Sequence, residues 1–185
     1  MAKYKITIKS DEYSDNPLEY TPEIIVACKH GRYNLGNMRL NDLLTQYDYN
    51  GDCDNLKEIM DYMSTYGTVF PVSMTDHSYL SVYVGKPNDY WDSGYIGIVF
   101  IQSSYMDKYG YTESYINDIL DTYTQYLNGE MYAYVVEKYT SDGMEYVNSC
   151  CGYYDIEECK EDALNNVPDS NRDNIEWVSS INYIY

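Results

Sequence analysis

Residues 90–101 read YWDSGYIGIVFI, the most apolar run in the chain. From Tyr95 to Ile101 the run is β-branched and aromatic, too short for a buried helix, and preceded by the turn-like Asp92, Ser93 and Gly94. Such a segment predicts a central strand covered on both faces. Gly97, in its middle, leaves room for a close neighbour, a helix or another backbone. The remaining residues must supply a sheet around this strand and helices to cover it.

Periodicity places those elements. Residues 4–9 set Ile6 and Ile8 against Lys5, Thr7 and Lys9, a half-buried strand whose lysines suit a sheet edge. Further strands are expected at 23–28, 69–74 and 79–84, the last two joined by a turn around Asp76. A hairpin follows at 131–138 and 145–149 over Ser141, Asp142 and Gly143, and a closing strand at 175–185. Residues 41–47 suit one short helical turn. Asn55 with Glu58 opens a helix to residue 66 that aligns Leu56, Ile59, Met60 and Met63, with Gly67 as its stop. A short helix at 104–109 precedes a longer one at 111–128, striped by Ile116, Ile119, Leu120, Tyr123 and Leu127. Asp155 caps a helix at 156–165. The expected fold is a single α+β domain over residues 1–185, a largely antiparallel sheet with about three helices packed on it.

The cladding of this sheet is acidic. Thirty Asp and Glu against 12 Lys and Arg give a net charge of −18. Residues 101–185 hold 16 of the acids and four of the bases, so the C-terminal half is the expected main negative surface. Such a body is repelled by nucleic acid and by anionic membranes, which argues against direct nucleic-acid binding or a membrane role. No apolar run reaches the length of a membrane span. Disorder explains the acidity poorly, because 44% apolar residues and 26 tyrosines supply ample material for a core. Phe occurs only twice, so Tyr takes its place in the core and leaves hydroxyls near the surface, where Tyr favours binding interfaces. Cys28, Cys53, Cys150, Cys151 and Cys159 form no CxxC pair. Their odd number, without a signal peptide, points to a reducing cytoplasm.

Catalytic signals are thin. Residues 48–54, DYNGDCD, approach a calcium loop, but Gly51 stands at position four and Ile59 at position twelve, where an EF-hand needs Gly at six and Glu at twelve. An acidic loop before a helix N-terminus explains it better. His30 and His77 are the only histidines. A constellation of His77, Asp76 and Cys28 can be drawn, yet no nucleophile elbow or HExxH accompanies it. No metal, cofactor or catalytic residue is expected. The carboxylates show more pattern. Asp54, Glu58 and Asp61 recur opposite the apolar stripe of one helix, Asp118 and Asp121 do so on the next, and Glu157, Glu158, Glu161 and Asp162 form two columns on the last. Only Lys57 and Lys160 interrupt them, although like charges at i and i+4 destabilise a helix. Rows of this kind can imitate the phosphates of a duplex; an acidic surface that serves only solubility is the competing reading.

The order of several short motifs adds to this. HGRYNLG at 30–36, DHS at 76–78, WDSG at 91–94 followed by GIV at 97–99, YTQYLNG at 123–129 and SCCG at 149–152 together resemble a widespread group of small acidic phage- and plasmid-borne proteins, largely uncharacterised. The likeness spans roughly residues 28–165; Tyr95 stands where that group is expected to carry Gln, and the loop at 78–90 is shorter. The group is similar in character to antirestriction and anti-CRISPR inhibitors. The resemblance implies a host-defence inhibitor; with the carboxylate rows, the expected function is a non-enzymatic inhibitor of a host defence nuclease, an acidic nucleic-acid mimic acting in the host cytoplasm. Its partner would be a basic Cas or restriction protein, met through Glu157, Glu158, Glu161, Asp162, Asp118, Asp121, Asp48, Asp52 and Asp54. The alternatives are a small metal-dependent or hydrolytic enzyme using His30 and His77, or an acidic adaptor.

Overall fold

A computed structural model describes residues 2–12, 14–89 and 91–181. In chain order its strands are β1 (Tyr4–Ser10), β2 (Ile25–Cys28), β3 (Met38–Arg39), β4 (Gly67–His77), β5 (Tyr79–Val84), β6 (Ser93–Gln102), β7 (Tyr132–Thr140), β8 (Gly143–Tyr153) and β9 (Ile175–Ser180). Its α-helices are α1 (Leu40–Gln46), α2 (Leu56–Met63), α3 (Ser103–Tyr109), α4 (Glu113–Leu127) and α5 (Ile156–Asn165). The chain forms two units, one of Asp15–Thr124 and one of Met1–Ser14 with Gln125–Tyr185, so the first is inserted in the sequence of the second. The α+β class holds. The single sheet with about three helices is instead two sheets and five α-helices among the described residues. Local periodicity identifies strands but does not say which ones pair, and the insertion separates the strands of one sheet.

In the inserted unit the sheet order is β3-β2-β6-β4-β5, with every pairing antiparallel except β2 with β3. The apolar run at 95–101 is thus the middle strand, and Ile96 through Ile101 are all buried. Ala27, Ile98 and Phe100 pack on one face against Leu40, Leu43 and Leu44 of α1 and Ile59 and Met63 of α2. The alternate residues Val99 and Ile101 are buried as well. A Cβ at Gly97 would lie 1.9 Å from the Ala27 carbonyl oxygen, so the close neighbour is the backbone of β2. Gly67 does not stop α2, which ends at Met63; it opens β4, where a Cβ would lie 2.1 Å from the Ile101 oxygen. The helix starts as its sequence predicts: Asn55 Oδ1 accepts the Glu58 N–H at 3.2 Å.

The edge strand β5 is covered by side chains of α4. Asn117 Oδ1 accepts the Val84 N–H at 3.1 Å and Thr124 Oγ1 accepts the Val82 N–H at 3.0 Å. Two outward amides that could pair with a foreign strand are thereby occupied. The β4–β5 turn falls at Ser78, one residue between the paired His77 and Tyr79, rather than around Asp76. Ser78 has φ 61°, an uncommon conformation for a residue with a Cβ.

In the other unit the order is β8-β7-β1-β9, antiparallel except for the parallel β1–β9 pair. β1 alternates as expected but lies inside the sheet, not at its edge. Lys5 is tolerated there because it faces a carboxylate on a neighbouring strand, Glu137 at 3.4 Å, and Lys3, just before the strand, meets Glu176 at 2.6 Å. Tyr4, Ile6, Ile8, Tyr134 and Val136 form the core with Cys159 and Ala163 of α5. The expected closing strand is seen over Ile175–Ser180; its continuation at 182–185, like Tyr90, lies outside the described residues. Among the described residues no helix is long and apolar enough to cross a membrane.

Candidate functional site

The last helix presents its acids as the sequence predicts. The Asp155 carboxylate accepts the N–H groups of Glu157 and Glu158 at 2.6 and 3.3 Å and fixes the first turn. Cys159 and Ala163 are buried against the sheet, which turns Glu157, Glu158, Glu161 and Asp162 outward, all exposed. Two of the four have local partners. Lys160 Nζ bonds Glu157 at 2.6 Å, and the Tyr153 hydroxyl donates to Asp162. Burial, together with that carboxylate, pushes the Tyr153 hydroxyl pKa well above its ordinary value.

The other predicted acids sit on separate elements of the inserted unit. Asp118 and Asp121 are exposed on α4. Asp48, Asp52 and Asp54 are exposed in the loop between α1 and α2. Asp52 Oδ1 accepts the Asp54 N–H at 2.9 Å, a local turn bond, and Asp54 is held by Lys29. Among the described residues no group of three or more His, Cys, Asp or Glu is placed to hold a metal ion, in this loop or elsewhere. The nine carboxylates thus stand on three elements, four on α5, two on α4 and three in the loop between α1 and α2. By unit the charge divides almost evenly: Asp15–Thr124 has 16 acids and six bases, and the rest of the chain 14 acids and six bases.

A second cluster was not read as a site from the sequence. β2 and β4 both run antiparallel to β6, pairing Cys28 with Gly97 and Thr75 with Ser93. The end of β2, the end of β4 and the start of β6 thus share one end of the sheet, and the segments at 30–36, 76–78 and 91–94 meet there. His30, Gly31, Arg32, Asp76, Trp91 and Asp92 line an open cavity of about 530 Å³. His30 Nδ1 accepts the N–H groups of Arg32 and Tyr33, both at 3.3 Å, and its ring stacks on Tyr33. One Asp76 oxygen accepts the Tyr33 hydroxyl at 3.1 Å and lies 3.6 Å from Arg32 Nη1. His77 Nδ1 lies 3.1 Å from Asp92 Oδ2. The Asp76 N–H donates to the Asp92 carbonyl at 2.8 Å and the Trp91 N–H to Asp89 Oδ1 at 2.7 Å, which fixes the backbone that carries Trp91. Trp91 itself is 86% exposed, the most exposed large hydrophobic residue described. The motif strings held this signal, but their convergence depends on the pairing of β2, β6 and β4.

The constellation of His77, Asp76 and Cys28 does not suit nucleophilic chemistry. Cys28 is buried, and burial pushes its thiol up to about 12, away from the thiolate a nucleophile requires. What the cavity offers is hydrogen-bond donors beside an exposed indole. No protein-family model matches the chain, and no curated protein or solved structure matches it.

Proposed function

We propose that this protein is a non-enzymatic inhibitor of a host defence nuclease, of antirestriction or anti-CRISPR type, that seats an acidic helix in a basic nucleic-acid groove. The observation that carries the reading is α5: four exposed carboxylates on one side of a helix anchored by Cys159 and Ala163 on the other. From 157 to 162 the helix rises about 7.5 Å. Four charges make three intervals over that length, a mean spacing of about 2.5 Å of axis, against about 1.7 Å for duplex DNA. Counting the Glu157–Lys160 pair as neutral leaves three charges from 158 to 162 at a mean spacing of about 3 Å, still of the same order. A surface tied to the sheet by buried residues loses little freedom on docking, which favours binding. The host-defence role rests on the resemblance and the nuclease target on the acidic face, and the site of action would be the host cytoplasm.

The test is capture of a basic nuclease from host extract, followed by competition with that nuclease's own guide or target. The expected complex is stoichiometric, is displaced by the nucleic acid and weakens as salt rises. A complex that coexists with bound nucleic acid and ignores salt sinks the mimicry reading. The two histidines at one end of the inserted sheet favour a hydrolytic enzyme as the competing reading. His30→Ala with His77→Ala leaves inhibition intact under the first reading and abolishes turnover under the second.

A further inference from the structure

We propose that the cavities around His30, Gly31 and Arg32 form a binding site for a single nucleotide, with the base on Trp91 and the phosphate on the cations of the 29–39 loop. This site is independent of the acidic helix. Two cavities share the loop His30-Gly31-Arg32. One, of about 530 Å³, opens beside Trp91. The other, of about 290 Å³, adds Lys29 and Arg39 to its lining. Three of the six bases of Asp15–Thr124 thus stand around one loop of a strongly acidic chain.

The groups on offer match the two halves of a nucleotide. An indole on a backbone fixed by Asp89 and Asp92 is a stacking surface for any base, because every base has a π face. His30 Nδ1 is an acceptor for two backbone N–H groups, so the neutral ring carries its proton on Nε2. The guanidinium of Arg32 is largely exposed and only loosely held, 3.6 Å from Asp76. It can turn to a phosphate, which matches its fork of donors. Arg39 makes no ion pair among the described residues. Asp76 and Asp92 supply acceptors for the amino groups of a base. Gly31 sits at the junction of both cavities, and a Cβ there would meet no protein atom within 4 Å. A side chain at position 31 would project into this open space beside both cavities.

Net charge selects the size of the ligand. A nucleic-acid polymer brings many phosphates against a body of −18, whereas one nucleotide brings one or two. Charges beyond about 8 Å are largely screened at physiological salt, so the local cations dominate for a small ligand.

The test uses the full chain carrying Trp177→Phe, in which Trp91 is the sole indole. Emission is excited at the red edge, beyond tyrosine absorption, during titration with AMP, adenosine and inorganic phosphate. AMP is expected to quench Trp91 saturably, adenosine to bind about tenfold more weakly, and phosphate to displace AMP without quenching. Arg32→Ala weakens AMP about tenfold and leaves adenosine unchanged. Gly31→Val removes the response to both ligands at an unchanged melting temperature. No response to AMP at millimolar concentration overturns the proposal and leaves Trp91 as a protein-contact residue. Equal binding of AMP and adenosine, or a full response in Gly31→Val, overturns it too.

Discussion

Thr124→Val tests what fastens α4 to the edge strand β5. Thr124 is 6% exposed, and its Oγ1 accepts the Val82 N–H at 3.0 Å and lies 3.4 Å from the Val82 carbonyl oxygen. Val keeps the β-branched shape and removes both contacts. A buried N–H left unpaired costs about 1–3 kcal/mol. The longer contact adds little, because hydrogen bonds weaken quickly beyond about 3.2 Å. The methyl that replaces the hydroxyl returns up to about 0.8 kcal/mol in apolar burial. The net loss is therefore about 1–2 kcal/mol, which lowers the melting temperature by roughly 2–8 °C in a chain of this size. The assay is urea denaturation with hydrogen exchange at the Val82 amide. The midpoint should fall at constant slope, and the Val82 amide should exchange faster while the amides of β6 keep their protection. A variant as stable as the parent, with Val82 still protected, refutes the claim that this bond holds the edge.

Three further outcomes follow from other parts of the chain. Replacing Glu157, Glu158 and Glu161 by Gln and Asp162 by Asn relieves like-charge pairs but also removes the Lys160 pair and two acids near the helix N-terminus, each worth a few tenths of a kcal/mol or more, so chemical denaturation should show a change within about 1 kcal/mol. Association with a basic partner at low salt should slow in the same variant, and an unchanged rate marks α5 as a merely solvated face. Gly97→Ala drives a Cβ onto the Ala27 carbonyl, and overpacking of this kind costs about 1–3 kcal/mol or more, read as a lower urea midpoint. Alkaline pH should destabilise the protein through its half-buried tyrosines: desolvation lifts the Tyr49 hydroxyl from 10.0 to about 12. The folded state then holds a proton that the unfolded chain releases, so stability is complete below pH 10 and declines as pH climbs toward 12, a trend that denaturation midpoints across that window would reveal.

What the sequence made legible depended on the range of the interactions. The strand at 95–101, the hairpin over Gly143 and the cap at Asp155 are set by residues within a few positions of one another, and each formed where the pattern placed it. The parallel pairing of β1 with β9 joins opposite ends of the chain, and no local period encodes it. Lys5 of β1 fits an edge by local pattern because its neutralising partner, Glu137, is distant in sequence. Gly67 looked like a helix stop because a glycine required by a crowded strand neighbour has the same local signature. The carboxylate face of α5 was readable from one helical period. The cluster around Trp91 was not, because its members belong to three segments that only the β2-β6-β4 order brings together.

The insertion of one unit within the sequence of the other also orders events during synthesis. β1 leaves the ribosome before Asp15–Thr124, yet its partners β7 and β9 follow that whole stretch. At about 5–20 residues per second the wait is on the order of ten seconds. Over that interval Ile6 and Ile8 have no sheet to enter, while the inserted unit already has every strand it needs. The middle of the chain can therefore complete its fold first, and the early strand, with Lys5 and Lys9 among its apolar residues, stays soluble until the last strands arrive.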